Sequence, residues 1–509
     1  MLSSLDFVIL AVYLAVVAAV GLAAGRRQRG PSDYYLARRA LPWWAAGLSI
    51  LATETSALTF VGVPTQSLRG DWTYLQLALG SVAGRLAVAT LLVGAYYRAE
   101  VVTVYGYLGR RFGAATRNLS TGLFFVGRLL GSGVRLYGGA IALVIVADVD
   151  FPLAIAAIAA VAAFYTLLGG LRSVVWTDLL QGVLLVAGAV AALVSLTQGV
   201  EGGLEGALTT LSEATTAAGH SKLRLVDLSL DPRRAYTLVA GLVGAAFLTL
   251  STHGADQDLI QRSLACRGSR EGRRSLALSA ALVIPVAALF LAVGSLLWVR
   301  LGGDAGAAAL AGELAAAKGL ASSDKAYDLL FPLYVVRELP AGVRGLVLAG
   351  LFASAMSSLD SAISALSTTA VRCVWRPLVG PGPGPRRELA VARTFALGFA
   401  LLLVTVALVV WRTEGAGGER QGFGVLMLGL KVLTWVFPPL LGVLLVGTLT
   451  RRGSDRGAVT AVLTGVATVL AAEFWHPLFG SPAPFAWIWN PVAGALVAFA
   501  VGAAFREGG

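Results

Sequence analysis

The sequence has little charge, three histidines and two cysteines. Only 13% of its 509 residues are Asp, Glu, Lys or Arg, whereas about 25% of a soluble domain is charged. A large soluble domain is therefore excluded. Cys266 and Cys373 have no metal-like spacing, and His220, His253 and His476 are scattered along the chain. We expect neither a disulfide nor a zinc-type metal centre.

The sequence also lacks the motifs that supply chemical energy or catalysis. It contains no Gly-x-x-x-x-Gly-Lys-Ser/Thr phosphate loop, and no His-x-x-x-His pair or carboxylate-histidine cluster accompanies His253. We therefore expect a protein that is not an enzyme and that holds no organic cofactor. Energy for uphill movement of a solute would then come from an ion gradient.

Long apolar stretches fill the chain instead. Apolar residues make up 57% of it and the mean hydropathy is +0.77. Stretches of roughly 20 apolar residues, each long enough to cross a bilayer as a helix, recur from end to end. We predict an all-α integral membrane protein that forms one polytopic domain over residues 1–509. Thirteen spans are predicted, near residues 5–25, 42–66, 73–97, 119–146, 151–169, 174–198, 236–258, 275–299, 341–370, 389–411, 423–448, 457–474 and 487–505.

The formal net charge of +12 is distributed by loop. Arginine is abundant in alternate loops (26–39, 98–117, 262–274, 372–387 and 451–452) and sparser in the others, although one of these holds Arg412 and Arg420. The positive-inside rule places the rich loops in the cytoplasm, the N-terminus outside and residues 506–509 inside. The charge thus indicates topology in a cell (plasma or inner) membrane and contact with lipid, and not a nucleic-acid partner.

Two predicted spans are interrupted by polar residues at corresponding places. The second span carries Thr-Glu-Thr-Ser at 53–56, and the seventh carries a polar run at 250–254. These spans are five apart, so they are the first helices of two matching halves in a five-plus-five arrangement. Interruptions in matching positions are typical of inverted-repeat transporters with a binding site at mid-membrane. Unwinding in the second span would free the carbonyls of Ala52 and Thr55 for a cation.

The ninth predicted span carries a row of hydroxyl groups. Ser354, Ser357, Ser358 and Ser361 share one helical face, beside the carboxylate of Asp360. Oxygen atoms in this arrangement suit a small alkali cation that has shed its water. Serines also let neighbouring helices approach closely, and these residues alone leave both explanations open.

Other charged side chains lie inside predicted spans, where they are costly. Asp178, one turn inside the sixth span, is either an N-terminal acid that favours the helix dipole or a cation ligand or relay. Arg128 and Arg135 share a face of the fourth span. They either bind an anionic solute group or form ion pairs, for which Glu54 and Asp360 are candidate partners. The candidate solute contacts are Arg128, Arg135, Glu54, Ser56 and His253.

Five short motifs, in order and on matching spans, resemble the sodium/solute symporter family. They lie at residues 54–62, 169–170 with 176–181, 256–257 with 261–262, 356–361, and 437–442 followed by Gly447. The resemblance runs from about residue 5 to about residue 460. It implies a LeuT-type fold with two inverted five-helix repeats in a core at 42–448, an extra span at 5–25 and two extra spans at 457–505. It also implies sodium coupling and alternating access.

The resemblance further implies ligand roles. In relatives the main sodium ion is held by two carbonyls of the first core helix and by a carbonyl and two hydroxyls of the eighth. A second cation site, or a proton site, matches Asp178 and Ser361, whereas Asp360 stands where relatives have a further hydroxyl. By motif, the main sodium ligands fall on Ala52, Thr55, Ser354, Ser357 and Ser358.

The solute is expected to be small, organic and anionic. The second span resembles the branch that carries iodide, monocarboxylates and vitamins, and in sialic-acid relatives an arginine on the equivalent of the fourth span binds the substrate carboxylate. We therefore predict sodium-coupled symport, with sodium and the solute as partners. The alternatives are a proton-coupled or neutral-solute symporter and, with less support, a transporter-like membrane sensor.

Overall fold

The computed structural model describes residues 2–25, 30–147, 149–318, 323–380, 384–415 and 425–506. Residues 26–29 and 507–509 of the predicted cytoplasmic segments, and Arg420 of a predicted outer loop, lie outside this description. Within it, every regular element is a helix. The fold class predicted from composition is therefore confirmed.

The first nine α-helices contain the first six predicted spans. A 3₁₀ turn at Ala37–Arg39 follows α2, and a π turn at Val88–Leu92 joins α5 to α6 into one rod. The helices are α1 (Ser4–Gly25), α2 (Pro31–Leu36), α3 (Trp43–Glu54), α4 (Ala57–Arg69), α5 (Leu75–Ala87), α6 (Val93–Arg98), α7 (Val104–Arg111), α8 (Ala114–Ala147) and α9 (Phe151–Gln198).

Thirteen further helices follow in the described residues. π turns at Ala240–Ala245 and Ala370–Trp375 adjoin α11 and α16, and a 3₁₀ turn at Trp487–Trp489 precedes α22. The helices are α10 (Gly203–Glu213), α11 (Ala246–Ala255), α12 (Gln257–Leu264), α13 (Ser269–Arg300), α14 (Gly303–Lys318), α15 (Ser323–Glu338), α16 (Val343–Thr369), α17 (Arg376–Val379), α18 (Pro385–Gly415), α19 (Val425–Leu449), α20 (Asp455–Glu473), α21 (Trp475–Phe479) and α22 (Asn490–Ala504).

In the described part of the chain, nine helices are long and apolar enough to span a membrane, or ten if the bent pair α3–α4 counts as one span. One of them, α9, has 48 residues and would be about 72 Å long if straight, more than twice the roughly 30 Å of a bilayer core. Instead it reverses at Gly170, where φ is +56°. The side chains of Tyr165 and Gln181 consequently lie 3.4 Å apart. The halves of α9 match the fifth and sixth predicted spans.

The helix that carries the row of serines lies at the centre of the bundle. In the apolar 18-residue stretch of α16 and its π turn, 89% of the residues are buried, whereas the corresponding stretch of α1, at the periphery, is 17% buried. Exposed aliphatic side chains such as Val12, Val183 and Leu401 cover the outside of the bundle. Apolar side chains on the exterior are what lipid contact requires. The polar face of α16 is therefore directed at other helices.

The seventh predicted span is broken, but two residues later than expected. Helix α11 continues to Ala255, and the backbone of Asp256 is extended. The Asp256 carboxylate accepts from the Asp258 amide at 3.0 Å and caps α12, while the Ala255 carbonyl accepts from the Tyr105 hydroxyl at 2.8 Å. The predicted interruption at 250–254 is wrong because these residues are helical. The capping aspartate determines where the helix ends.

Candidate functional site

The break in the second predicted span is present. Helices α3 and α4 meet at 63° across Thr55 and Ser56. The Ser56 amide donates to the Glu54 carbonyl at 2.9 Å, and the Thr59 amide donates to the Ser56 carbonyl at 2.8 Å. In a continuous helix these two amides would bond the carbonyls of Ala52 and Thr55. The break therefore releases the two carbonyls that were predicted as sodium ligands.

The serine face of α16 is directed at this break. The Ser358 hydroxyl shares its one hydrogen between the Thr53 carbonyl at 3.3 Å and the Ser354 carbonyl at 3.2 Å. The Ser357 hydroxyl is buried, makes no well-formed hydrogen bond among the described residues, and lies near the Asp178 carboxylate. Leaving such a hydroxyl without a bonding partner is costly. The position therefore suits a cation that the hydroxyl oxygen can bind. A hard cation prefers such carbonyl and hydroxyl oxygens, so the residues present fit sodium.

A buried arginine connects the residues predicted for a second cation. Nη2 of Arg262 lies 3.1 Å from Oδ2 of Asp178, donates to the Thr53 hydroxyl at 2.7 Å, and also donates to the Ser361 hydroxyl. The loop pattern counts Arg262 among the arginines of a cytoplasmic loop. Its side chain is nevertheless only 1% exposed.

Asp360, the third residue predicted for that site, points elsewhere. Its carboxylate accepts from the Tyr165 hydroxyl at 2.7 Å, the Ser361 hydroxyl at 3.2 Å and the Thr177 hydroxyl at 3.5 Å. Two of these three donors belong to α9. The structure thus brings Asp178 and Ser361 together around Arg262. It directs the Asp360 carboxylate toward Tyr165 and Thr177 instead.

Arg128 is held by an ion-pair cluster. It is 1% exposed, it donates to Asp256, and its Nη1 lies 2.8 Å from Oδ2 of Asp258. Asp256 caps α12, and Asp258 lies in its first turn. The expectation that Glu54 or Asp360 would pair with Arg128 is wrong, because the start of α12 supplies the acids. Arg128 still lines a cavity, described below, with its charge balanced by protein groups.

Arg135 differs from Arg128 in having no acidic partner among the residues that the structure describes. Its Nη1 donates to the Thr53 carbonyl at 3.4 Å, and no carboxylate of the described residues lies within 4.0 Å of its guanidinium. It stands seven residues after Arg128 on the same helix, hence on the same face. The structure therefore places a cation with no ion pair beside the break in α3–α4.

Glu54 is paired with a residue that the sequence analysis does not single out. Arg85, fully buried on α5, donates to Glu54 and to the Ser81 hydroxyl, the latter at 2.7 Å. Nε2 of His253 lies 3.7 Å from Oε2 of Glu54. Since His253 is not among the residues that line the cavity, we leave it out of the proposed solute site.

A cavity with about 160 Å³ of space for water-sized molecules lies against the break. It extends past Tyr74 and Trp487, which stand at the predicted outer ends of the third and thirteenth spans. Apolar side chains form the rest of its wall, as in most small-molecule sites. The polar residues that line it are Glu54, Thr55, Ser56, Thr59, Ser81, Arg128, Arg135, Thr249, Thr252 and Asp256.

Four charged residues of this region were not predicted as site residues from the sequence. Arg85 has a usable signal, since a lone cation within an apolar span needs a partner. Asp256 and Arg262 appear in a family motif, yet the pattern does not indicate that they are buried or what they contact. Asp258 has no signal beyond its proximity to Asp256.

A profile of the sodium:solute symporter family matches residues 34–465. This chain belongs to the sodium:solute symporter family. The predicted sodium-coupled symport of an organic solute is thereby confirmed at the level of the family, and the chain is a multi-pass membrane protein of a transporter family.

Relatives in the family carry different solutes. The chain is 26% identical to the sodium/sialic acid symporter SiaT of Proteus mirabilis, over 93% of this chain and 90% of that protein. It is 29% identical to the sodium/iodide cotransporter of Homo sapiens, over 93% of this chain and 69% of that protein. It is 28% identical to the sodium/glucose cotransporter of Vibrio parahaemolyticus, over 93% and 86%. Identities this similar do not favour one branch of the family.

Two solved structures share the fold. A sodium-coupled sialic acid symporter in a substrate-bound outward-open state matches with a TM-score of 0.83 at 24% identity, covering 99% of this chain and 97% of that one. The nucleobase-cation symporter Mhp1 matches with a TM-score of 0.54 at 16% identity, covering 94% of each chain. The predicted LeuT-type helical fold is confirmed, while the count of thirteen spans stays a prediction.

Proposed function

We propose that this symporter couples sodium entry to uptake of a small organic anion, with the carboxylate of the solute on Arg135. One observation carries the proposal. The guanidinium of Arg135 has no acidic partner among the described residues. It contacts Thr53 at the break, next to the carbonyls that are proposed as sodium ligands. A guanidinium binds a carboxylate with charge-assisted hydrogen bonds, and often two of them. The positive charge of Arg128 is already balanced by Asp256 and Asp258. Arg128 therefore forms part of the cavity wall and does not bind the carboxylate.

The proposed sodium site lies next to this arginine. Its ligands are the carbonyls of Ala52, Thr55 and Ser354 and the hydroxyls of Ser357 and Ser358. Because Thr53 contacts both Arg135 and Ser358, the solute and sodium positions share one short backbone segment. Occupancy of one position then orders the other, which is the basis of coupled binding.

We further propose the membrane topology that this function needs. Thirteen spans, with the N-terminus outside and the C-terminus in the cytoplasm, include a core of two five-helix repeats at 42–448. The reversal at Gly170 and the breaks after Glu54 and Ala255 support this arrangement. In it, Tyr74 and Trp487 mark the outer end of the cavity, through which the solute enters.

Loss of a serine hydroxyl is expected to weaken sodium binding. Ser357→Ala and Ser358→Ala should each cost about 1–3 kcal/mol, or roughly 5- to 150-fold in apparent sodium affinity, because each removes one ligand from a buried site. The measurement is the sodium dependence of thermal stability in purified protein. Ser367→Ala is the matched control, since its hydroxyl donates to the Ser364 carbonyl of its own helix. Unchanged sodium dependence in both variants would remove these residues from the site.

A thermal-shift screen tests the solute class. We expect small carboxylates to raise the melting temperature of the purified protein in sodium and to have little effect when choline replaces sodium, because the two sites share Thr53. The screen includes neutral sugars and amino acids. Stabilisation by a neutral sugar alone, or by a carboxylate equally well without sodium, would contradict the proposal and favour a neutral-solute or proton-coupled carrier.

A further inference from the structure

We propose that the guanidinium of Arg262 takes the place of a second coupling cation, so that this chain binds a single sodium ion. The inference rests on the proposed function, since it concerns the number of ions that the symporter couples to its solute. It starts from the two groups, Asp178 and Ser361, whose side chains converge on one point between α3, α9 and α16.

The point where these side chains converge is filled by protein. Besides its contacts with Asp178, Thr53 and Ser361, Arg262 donates through Nε to the Ser49 hydroxyl at 2.7 Å. Its Nη1 also donates to the Asp258 carbonyl, one turn earlier on α12. The guanidinium thus bonds three other helices and its own, and is fixed in position. A second positive ion beside it would be repelled and would find these ligands already bonded.

The remaining predicted ligand does not complete a site. The Asp360 carboxylate accepts from Tyr165 and Thr177, both on α9, and from the adjacent Ser361, and no described Lys, Arg or His lies within 4.0 Å of it. The residues present therefore do not fit a second sodium ion. They fit an arrangement in which Arg262 supplies the positive charge permanently and sodium occupies only the serine site.

One oxygen of Asp178 is left over for that serine site. Arg262 and Ser49 contact Oδ2, whereas Oδ1 is buried and makes no well-formed hydrogen bond in the described structure, and the carboxylate lies near the Ser357 hydroxyl. The two groups stand on helices α9 and α16, which are in close contact at Gly188 and Val347. Asp178 can therefore balance one sodium ion while it remains fixed by Arg262. With a monovalent anion, one sodium ion makes each transport cycle electrically neutral.

The test counts sodium ions on purified protein in nanodiscs without any solute. Equilibrium binding of ²²Na⁺ should saturate at one ion per chain, and the sodium dependence of the melting temperature should give a Hill coefficient near 1. Two ions per chain, or a Hill coefficient approaching 2, would overturn the inference and leave sodium coupling intact. No sodium binding at all would refute the proposed function itself, so the two failures are distinguishable.

A pair of variants examines the guanidinium directly. Arg262→Ala frees Asp178 and Ser361 and should raise saturation to two sodium ions per chain, whereas Arg262→Lys keeps the charge and should remain at one. Arg274→Ala, at an exposed position of α13, is the control. A folded Arg262→Ala protein that still binds one ion would contradict the inference. If this variant does not remain monodisperse, the wild-type count decides.

Discussion

Replacing Arg135 with glutamine is expected to abolish sodium-driven uptake of an anionic solute in a protein that still folds. The variant removes the positive charge and keeps a side chain that can donate to the Thr53 carbonyl, the hydrogen-bond contact of the wild-type guanidinium. A hydrogen bond to a charged group contributes about 1.5–3 kcal/mol, so losing two such bonds to a carboxylate should lower apparent solute affinity by 100-fold or more. Stability should change little, because no ion pair to protein is lost.

Uptake kinetics and sodium binding together check this result. Arg135→Lys is the informative companion, because it retains the charge without the planar pair of donors and should keep part of the affinity. Sodium-dependent stabilisation without solute should persist in both variants. Wild-type uptake kinetics in Arg135→Gln would show that the solute carboxylate binds elsewhere, with Arg128 the remaining candidate in the cavity.

Replacing Arg128 with methionine should destabilise the protein more than any other single change considered. Removing one partner of a buried ion pair typically costs 3–5 kcal/mol, because the remaining charge is left without compensation. Here two carboxylates, of Asp256 and Asp258, are left, and only Asp258 has Arg262 nearby, at 3.5 Å. We expect a large fall in melting temperature and poor yield of monodisperse protein.

A compensating variant distinguishes charge from packing. Adding Asp256→Asn to Arg128→Met removes one of the uncompensated carboxylates, and the double variant should be more stable than Arg128→Met alone. The measurement is thermal unfolding of the wild type, both single variants and the double variant in the same detergent. Additive losses of stability would show that the cluster is not coupled.

The sequence predicts backbone features of the site better than its ion pairs. The polar run around Thr55 indicated the break, and the spacing of the serines indicated the face on which Ser358 meets Thr53. Both follow from local periodicity and from the cost of polar groups in a bilayer. Pairings such as Arg85 with Glu54 depend on which helices become neighbours. Helical periodicity predicts which face of a helix is buried, but it does not indicate which helix packs against that face.

Arg262 shows the same limit on topology. Arginine-rich loops predict the cytoplasmic side, but the rule counts residues near span ends and does not distinguish solvated arginines from buried ones. The displacement of the second break to Asp256 has a related cause. The Asp256 carboxylate accepts from the Asp258 amide and starts α12. The Tyr105 hydroxyl, 150 residues from Ala255 in sequence, donates to the Ala255 carbonyl at the end of α11.

Solute uptake into proteoliposomes tests the central claim most directly. The solute is the carboxylate with the largest sodium-dependent thermal shift, and its uptake is compared under an inward sodium gradient, equal sodium on both sides, and an inward proton gradient without sodium. The account predicts accumulation only under the sodium gradient, and none in Arg135→Gln. Accumulation that follows the proton gradient and ignores sodium would contradict it.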